Sequence, residues 1–289
     1  MLFLSLSRPI EGPRSTPGRP LSFDLPNGEP GIAPYFCKRH AAHVYEEATE
    51  APFLARLGTA RQALLYLHDG GRRPEEGAFR EAAILQRALA EDGVRVVPVL
   101  WPCREGSPGA GDEPLLAAQG GLALARALAR LGADDARPTA VLAHGMGARV
   151  LQEALRRSGV PRLDAAFLAA PALPDDALEA GGPLAAARRL VLYHAAADAV
   201  LAGLGDEAAL GRTGPALVDL LPERAAAVDA GAVAAGCDPK AHAYHLPDGA
   251  GRPGPVLAHL QAALRTGDIP GTRPWQRRVR LAPGVEAYA

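Results

Sequence analysis

Short apolar runs alternate with segments of helical period along most of this chain, and that alternation constrains the fold more than any other feature. ALLYLH (63–68), VRVVPVLWP (94–102), PTAVLAH (138–144), DAAFLAAPA (164–172) and RRLVLYHA (188–195) read as strands, with a weaker candidate at RAAAVDAG (224–231). Near-continuous apolar strands belong to a parallel sheet covered on both faces. Between them, GAFREAAILQRALAEDG (77–93), LLAAQGGLALARALARLG (115–132) and ARVLQEALRRSG (148–159) place apolar residues at helical spacing. Strands joined through helices of this length form right-handed βαβ units. The expected fold class is therefore α/β, with a mostly parallel central sheet and helices on both faces. Pro98, inside the second run, predicts a bulge there.

A chain of 289 residues can bury a full core. Residues 1–54 begin with a Pro- and Gly-rich stretch and read as an irregular N-terminal arm, with an edge strand near 2–6. Residues 55–267 carry the alternating pattern, and 268–289 form a basic, Pro-containing tail, either solvated or docking a partner. The formal net charge of −1 gives no general attraction to nucleic acid or to an anionic membrane, so neither is an expected partner. No uncharged apolar run reaches the ~20 residues of a membrane helix. The first residues lack the basic start and long apolar core of a signal peptide. Cys37, Cys103 and Cys237 are few, odd in number and far apart. They fit a reducing compartment and exclude a disulfide scaffold, so a cytoplasmic protein is expected.

In open parallel sheets the site lies at the carboxyl ends of the strands. There the sequence places His68-Asp69-Gly70-Gly71, Trp101-Pro102-Cys103, His144-Gly145-Met146-Gly147, Pro171 and Asp198. His242 and His245 follow in AHAYHLPDG. No phosphate-binding glycine loop and no metal-ligand spacing is present, so neither a cofactor nor a metal is expected. Positions 145, 198 and 242 stand in the order nucleophile, acid, base, which is the chain order of an α/β-hydrolase triad.

On these residues the chain resembles the α/β-hydrolases, and within them a bacterial group of unassigned function. That group reads V-H-G-Y-N, W-P-S, A-H-S-M-G, an Asp before an apolar helix, and H-s-Y. This sequence has LHDGG, WPC, AHGMG, DAVL and AHAYH. The resemblance covers about residues 60–250 and implies an α/β-hydrolase fold. It implies His242 as the base, with His245 as the alternative, and Asp198 as its orienting acid. It also implies an oxyanion hole from backbone N–H groups near Gly70 and of Met146. Asp198 suits a helix N-cap equally well, and the two roles are compatible.

Three departures decide more than the matches. Gly145 stands where the family has its nucleophilic serine, and glycine can neither attack a carbonyl nor hold an acyl group. Asp69 replaces a glycine beside the site of the oxyanion. Two like charges ~4–5 Å apart at an effective dielectric near 20 repel by about 3–4 kcal/mol. That cancels most of what one oxyanion donor contributes, ~3–4 kcal/mol. Cys103 replaces a serine; it reads as a small buried residue lining the pocket, or as a substitute nucleophile served by His242. Glycine also suits an elbow, because the strained backbone there costs a side-chain-bearing residue ~1–3 kcal/mol. Restoring serine alone at 145 is then expected to revive a weak nucleophile.

Three functions follow. The first is a degenerate serine hydrolase, a pseudoenzyme that binds a small molecule or a protein partner. The second is a serine-independent enzyme using His242 and Asp198 as general base on a small-molecule substrate. The third is a structural interaction module. The substrate is not legible, because the loop 103–114 and the segment 206–223 carry no signature.

Overall fold

The computed structural model describes residues 1–24, 29–71, 73–103, 112–132, 139–248, 251–273 and 276–282. The strands are β1 (Leu2–Ser7), β2 (Pro20–Leu21), β3 (Pro30–Ala41), β4 (Val44–Glu47), β5 (Gln62–Leu67) and β6 (Val94–Leu100), then β7 (Thr139–His144), β8 (Ala165–Ala169), β9 (Leu190–His194), β10 (Ala225–Asp229) and β11 (Arg278–Arg280). The helices are α1 (Glu50–Leu57), α2 (Ala78–Leu89), α3 (Glu113–Leu131), α4 (Gly147–Leu155), α5 (Ala209–Thr213), α6 (Gly231–Cys237) and α7 (Pro255–Thr266).

All these strands lie in one sheet, in the order β11-β10-β9-β8-β7-β5-β6-β1-β3-β4-β2. From β11 to β1 every neighbouring pair is parallel. Only β1–β3, β3–β4 and β2–β4 are antiparallel. Strand order reverses between β5 and β7, so the next parallel strands build on opposite sides of β5. This mostly parallel sheet, flanked by helices and reversing at that point, is an α/β fold with the layout that the resemblance to the α/β-hydrolases implies. The inner strands are apolar at every position for the reason given by their sequence: both faces are covered. All six residues of β5 and all five of β8 are buried.

Residues 1–54 are not an irregular arm. β1 sits inside the sheet between β6 and β3, not at its edge. Leu2, Leu4 and Leu6 join the main core, while Phe3 joins Tyr35, Tyr45 and Phe79 in a second cluster. The Pro- and Gly-rich loops around these strands hide the pattern, because LFLSLS alone is too short to reveal two buried faces. The tail is also partly structured. β11 adds in parallel to β10, and Val279 and Leu281 are buried. The expected bulge at Pro98 is absent: the β5–β6 register runs unshifted through Tyr66↔Pro98. Successive residues of an inner strand bond to opposite neighbours, so one missing N–H removes at most one ladder bond. Most of the loop 104–114 lies outside the described residues.

Candidate active site

The register of two strands builds the centre of the site. Leu67 of β5 pairs with Ala143 of β7. Two residues further along each strand, Asp69 and Gly145 emerge side by side at the carboxyl edge, where the strand order reverses. This is the place at which open α/β sheets bind ligands.

β7 turns sharply into α4. Gly145 has φ +54°. Its N–H donates to the Ala169 carbonyl at 3.1 Å, and its own carbonyl accepts the Ala172 N–H at 3.0 Å. The backbone is therefore held in a left-handed conformation that glycine adopts without strain. Gly147, two residues later, allows α4 to press against the end of β5. A Cβ there would stand 2.6 Å from the Leu67 carbonyl oxygen and 2.8 Å from that of His68.

The space above Gly145 is filled. A Cβ at this position would overlap Oδ1 and Cγ of Asp69 and stand 3.0 Å from its Cβ. The Asp69 carboxylate thus lies where the side chain of residue 145 would lie. Its Oδ1 accepts the Met146 N–H at 2.7 Å, the donor that the family resemblance assigns to the oxyanion hole. Its Oδ2 accepts from His242 Nε2 at 3.1 Å. The backbone beneath is fixed by His68, whose Nδ1–H donates to the Asp69 carbonyl at 2.5 Å. Trp101 Nε1–H in turn donates to the His68 carbonyl at 2.9 Å. Gly70 follows, buried beside Asp69.

His242 is held from its other side by Asp198. Nδ1 donates to Asp198 Oδ2 at 2.8 Å. Asp198 Oδ1 accepts the N–H groups of Val200 and Leu201 at 3.0 and 2.9 Å, so it also holds the turn that leads into the following 3-10 helix (Leu201–Ala208), whose N-cap position is Val200 and not Asp198 as the sequence suggests. Asp238 fastens the histidine loop: its Oδ2 accepts the N–H of His242 and of Ala243, both at 2.9 Å. Burial alone would lower the His242 pKa, but the hydrogen bonds of Asp198 and Asp69, with their charges, raise it to about 10. With both ring nitrogens donating, the ring is an imidazolium between two carboxylates. Each of the four carboxylate oxygens has an N–H donor, so this buried network is satisfied, and it carries one net negative charge.

The other residues singled out by sequence fall elsewhere. His245 turns away from Asp198; its Nε2 lies 3.3 Å from the Tyr66 hydroxyl, which donates to Glu81 Oε2 at 2.6 Å. Burial, then the charge of His242, pushes His245 down to about 3. His144 lies between the two histidines, with ring centroids 4.5 Å from His242 and 4.3 Å from His245. Cys103 is part of the main core and 1% exposed. The sequence reading treated Asp69 as an opponent of the oxyanion and missed that it fills the nucleophile's space. The signal was available in the paired departures: a side chain lost at 145 and one gained at 69, two residues past paired positions on adjacent strands.

Among the described residues, cavities that open on the chain include ones of about 620, 280 and 40 Å³, and Asp69, Gly145, Asp198 and His242 do not line these three. The cavity of about 620 Å³ lies between α2 and the histidine loop, against Glu81, Asp238 and Ala243. Among the described residues no cluster of three or more His, Cys, Asp or Glu side chains could hold a metal ion, and no helix is long and apolar enough to cross a membrane.

No protein-family model matches the sequence, and comparison with curated proteins finds no match. Among solved structures, a lidless α/β serine hydrolase from Xanthomonas campestris aligns at 16% identity and a TM-score of 0.44, over 88% of this chain and 94% of its own. A cold-adapted esterase from an Arctic intertidal metagenomic library aligns at 15% identity and a TM-score of 0.40, over 75% of this chain and 86% of its own.

Proposed function

We propose that this is an α/β-hydrolase-fold protein without serine-hydrolase chemistry, a degenerate hydrolase that binds a small molecule instead of cleaving one. One observation carries the reading. The Asp69 carboxylate occupies the nucleophile's space, engages the Met146 N–H and ion-pairs with His242. A hydrolase needs all three elsewhere: a nucleophile at 145, a free donor for the oxyanion, and an unprotonated Nε2 to take a proton. The side chains that remain satisfy one another. The cavity of about 620 Å³ behind the histidine loop has the size of a small-molecule site, which supports a binding role. The three cysteines, odd in number and far apart in sequence, support the expected cytoplasmic location.

The serine-independent reading requires His242 Nε2 as a base. The ion pair with Asp69 opposes it, because at neutral pH that nitrogen carries a proton and donates it.

A fluorophosphonate probe labels activated serines. It is expected to leave the protein unlabelled, and ester, thioester and amide substrates are expected to survive incubation with it. Stoichiometric labelling that disappears in His242→Ala would overturn this reading. So would ester turnover that His242→Ala abolishes, which would restore the serine-independent enzyme.

A further inference from the structure

At the far end of the sheet from Asp69, three cations from three separate elements meet. Lys38 of β3, Arg56 in the last turn of α1 and Arg95 of β6 line the cavity of about 280 Å³, together with Met1, Leu2 and Thr59. The fold brings them there. β1 runs between β3 and β6, and its Leu2 pairs with Lys38. Arg95 pairs with Ala63 near the start of β5, six residues before Asp69, about 20 Å along the strand. Phe53 of α1 packs edge-on against Phe36 of β3, with ring centroids 5.2 Å apart, and so seats the last turn of α1 on the same rim.

These cations are unlike their neighbours. Arg39 pairs with Glu75 and Arg130 with Glu50. The side chains of Lys38, Arg56 and Arg95 have no ion pair or hydrogen bond among the described residues. Among the described residues no acid lines the cavity. The chain as a whole has one more acidic than basic residue, 32 against 31, so three unmatched cations in one hollow are not the imprint of a basic surface. Like charges held together repel, and an anion between them reverses the sign of that energy. Two guanidinium forks and one ammonium fit the oxygens of a phosphate group better than a monovalent ion.

We propose that this cavity binds a phosphate-bearing small molecule, a compact oxyanion with two or more negative charges. The site is separate from the closed centre at Asp69, and it stands whether or not that centre is inactive.

The test is calorimetric titration of the full chain with pyrophosphate at low ionic strength, with thermal unfolding alongside. Wild type is expected to bind and to gain thermal stability, and chloride at equal ionic strength is expected not to replace the effect. Lys38→Ala/Arg56→Ala/Arg95→Ala is expected to weaken binding by about tenfold or more. A control with the same charge change elsewhere, Arg157→Ala/Arg162→Ala/Arg188→Ala, is expected to keep it. Arg56→Ala alone, an exposed helix position, gives a milder loss if the triple variant folds poorly. The proposal is overturned if pyrophosphate does not bind at millimolar concentration, or if both triple variants weaken it equally. It is also overturned if the chain pellets with phosphatidic-acid vesicles but ignores pyrophosphate, since the source would then be a lipid surface.

Discussion

Asp69 and Gly145 share one volume: the carboxylate of the first lies where a side chain on the second would have to be. Neither substitution is neutral alone. With a serine at 145, the carboxylate could not sit on the Met146 N–H. With a glycine at 69, the imidazolium of His242 would lose one of its two anionic partners. The two positions are coupled through contact, so their effects should be far from additive.

That coupling corrects the expectation that serine alone would revive a nucleophile. Gly145→Ser must place a Cβ against the Asp69 carboxylate and also hold a side-chain-bearing residue at φ +54°. The single variant should lose stability, by at least the ~1–3 kcal/mol of such a backbone, and remain unlabelled by fluorophosphonate. Gly145→Ser/Asp69→Gly removes the overlap, frees the Met146 N–H and leaves His242 to Asp198. It should regain part of the lost stability and react with the probe. A single variant as stable as the parent, or a silent double variant that folds, would show that the elbow is not built this way.

The ion-pair centre should be revealed by removing its cation. His242→Ala leaves Asp69 and Asp198 buried with no charge between them, and breaking such a pair costs about 3–5 kcal/mol. Asp69→Ala/His242→Ala removes one of the stranded carboxylates too. In urea unfolding the double variant should therefore be less destabilised than the sum of its parts. Simple additivity would mean that the pair contributes nothing.

The thiols give a check on burial. Cys37 and Cys103 are buried, while Cys237 is partly exposed. Its Sγ lies against Gly254, where a Cβ would approach to 2.6 Å. Burial, then Asp248 and Asp238, pushes the Cys237 thiol up, so it should be a slow nucleophile. Iodoacetamide should modify Cys237 alone in the native protein, faster at alkaline pH, and all three after unfolding. Rapid modification of Cys103 at pH 6 that depends on His242 would make Cys103 a catalytic thiol.

The parallel core was legible because its strands are apolar at every position and its helices keep a clean period; β5, β7, β8, β9 and even the short β10 follow from the sequence. The place of β1 was not, since six residues ahead of a Pro-rich loop look the same at an edge or inside. α7 was also missed, although Pro255 at its start and Gly267 at φ +78° just past its end are ordinary helix signals. For the site, the family pattern pointed to Asp198 and His242, and the distances bring those two together and leave His245 aside. What the pattern could not give was where the Asp69 side chain points. Position 69 aligns with a glycine, so the resemblance holds no precedent for a side chain there. Its direction is set by the register of β5 on β7, which is a three-dimensional fact.

The histidines predict the pH dependence of stability, with opposite signs on the two sides of neutrality. His242 has its folded pKa raised to about 10 from an ordinary 6.5, because two carboxylates outweigh its burial. A raised value means that the folded state holds the proton more tightly. Its contribution is therefore complete below pH 6.5 and is lost as pH rises towards 10, at no more than about 1.4 kcal/mol per pH unit. His68, His245 and His259 behave in the reverse sense. Burial pushes them down to about 4, 3 and 4. Their contribution is complete above pH 6.5 and is lost as pH falls towards 3–4. Urea unfolding across pH 4–10 should give a stability maximum near pH 6.5 that declines on both sides. In His242→Gln the alkaline decline should flatten and the acid decline should remain. The imidazole ¹⁵N signals of His242 should stay those of an imidazolium from pH 6 to 8.5. A His242 that titrates near 6.5 would show an ordinary histidine, and Asp69 would then not be its ion-pair partner in solution.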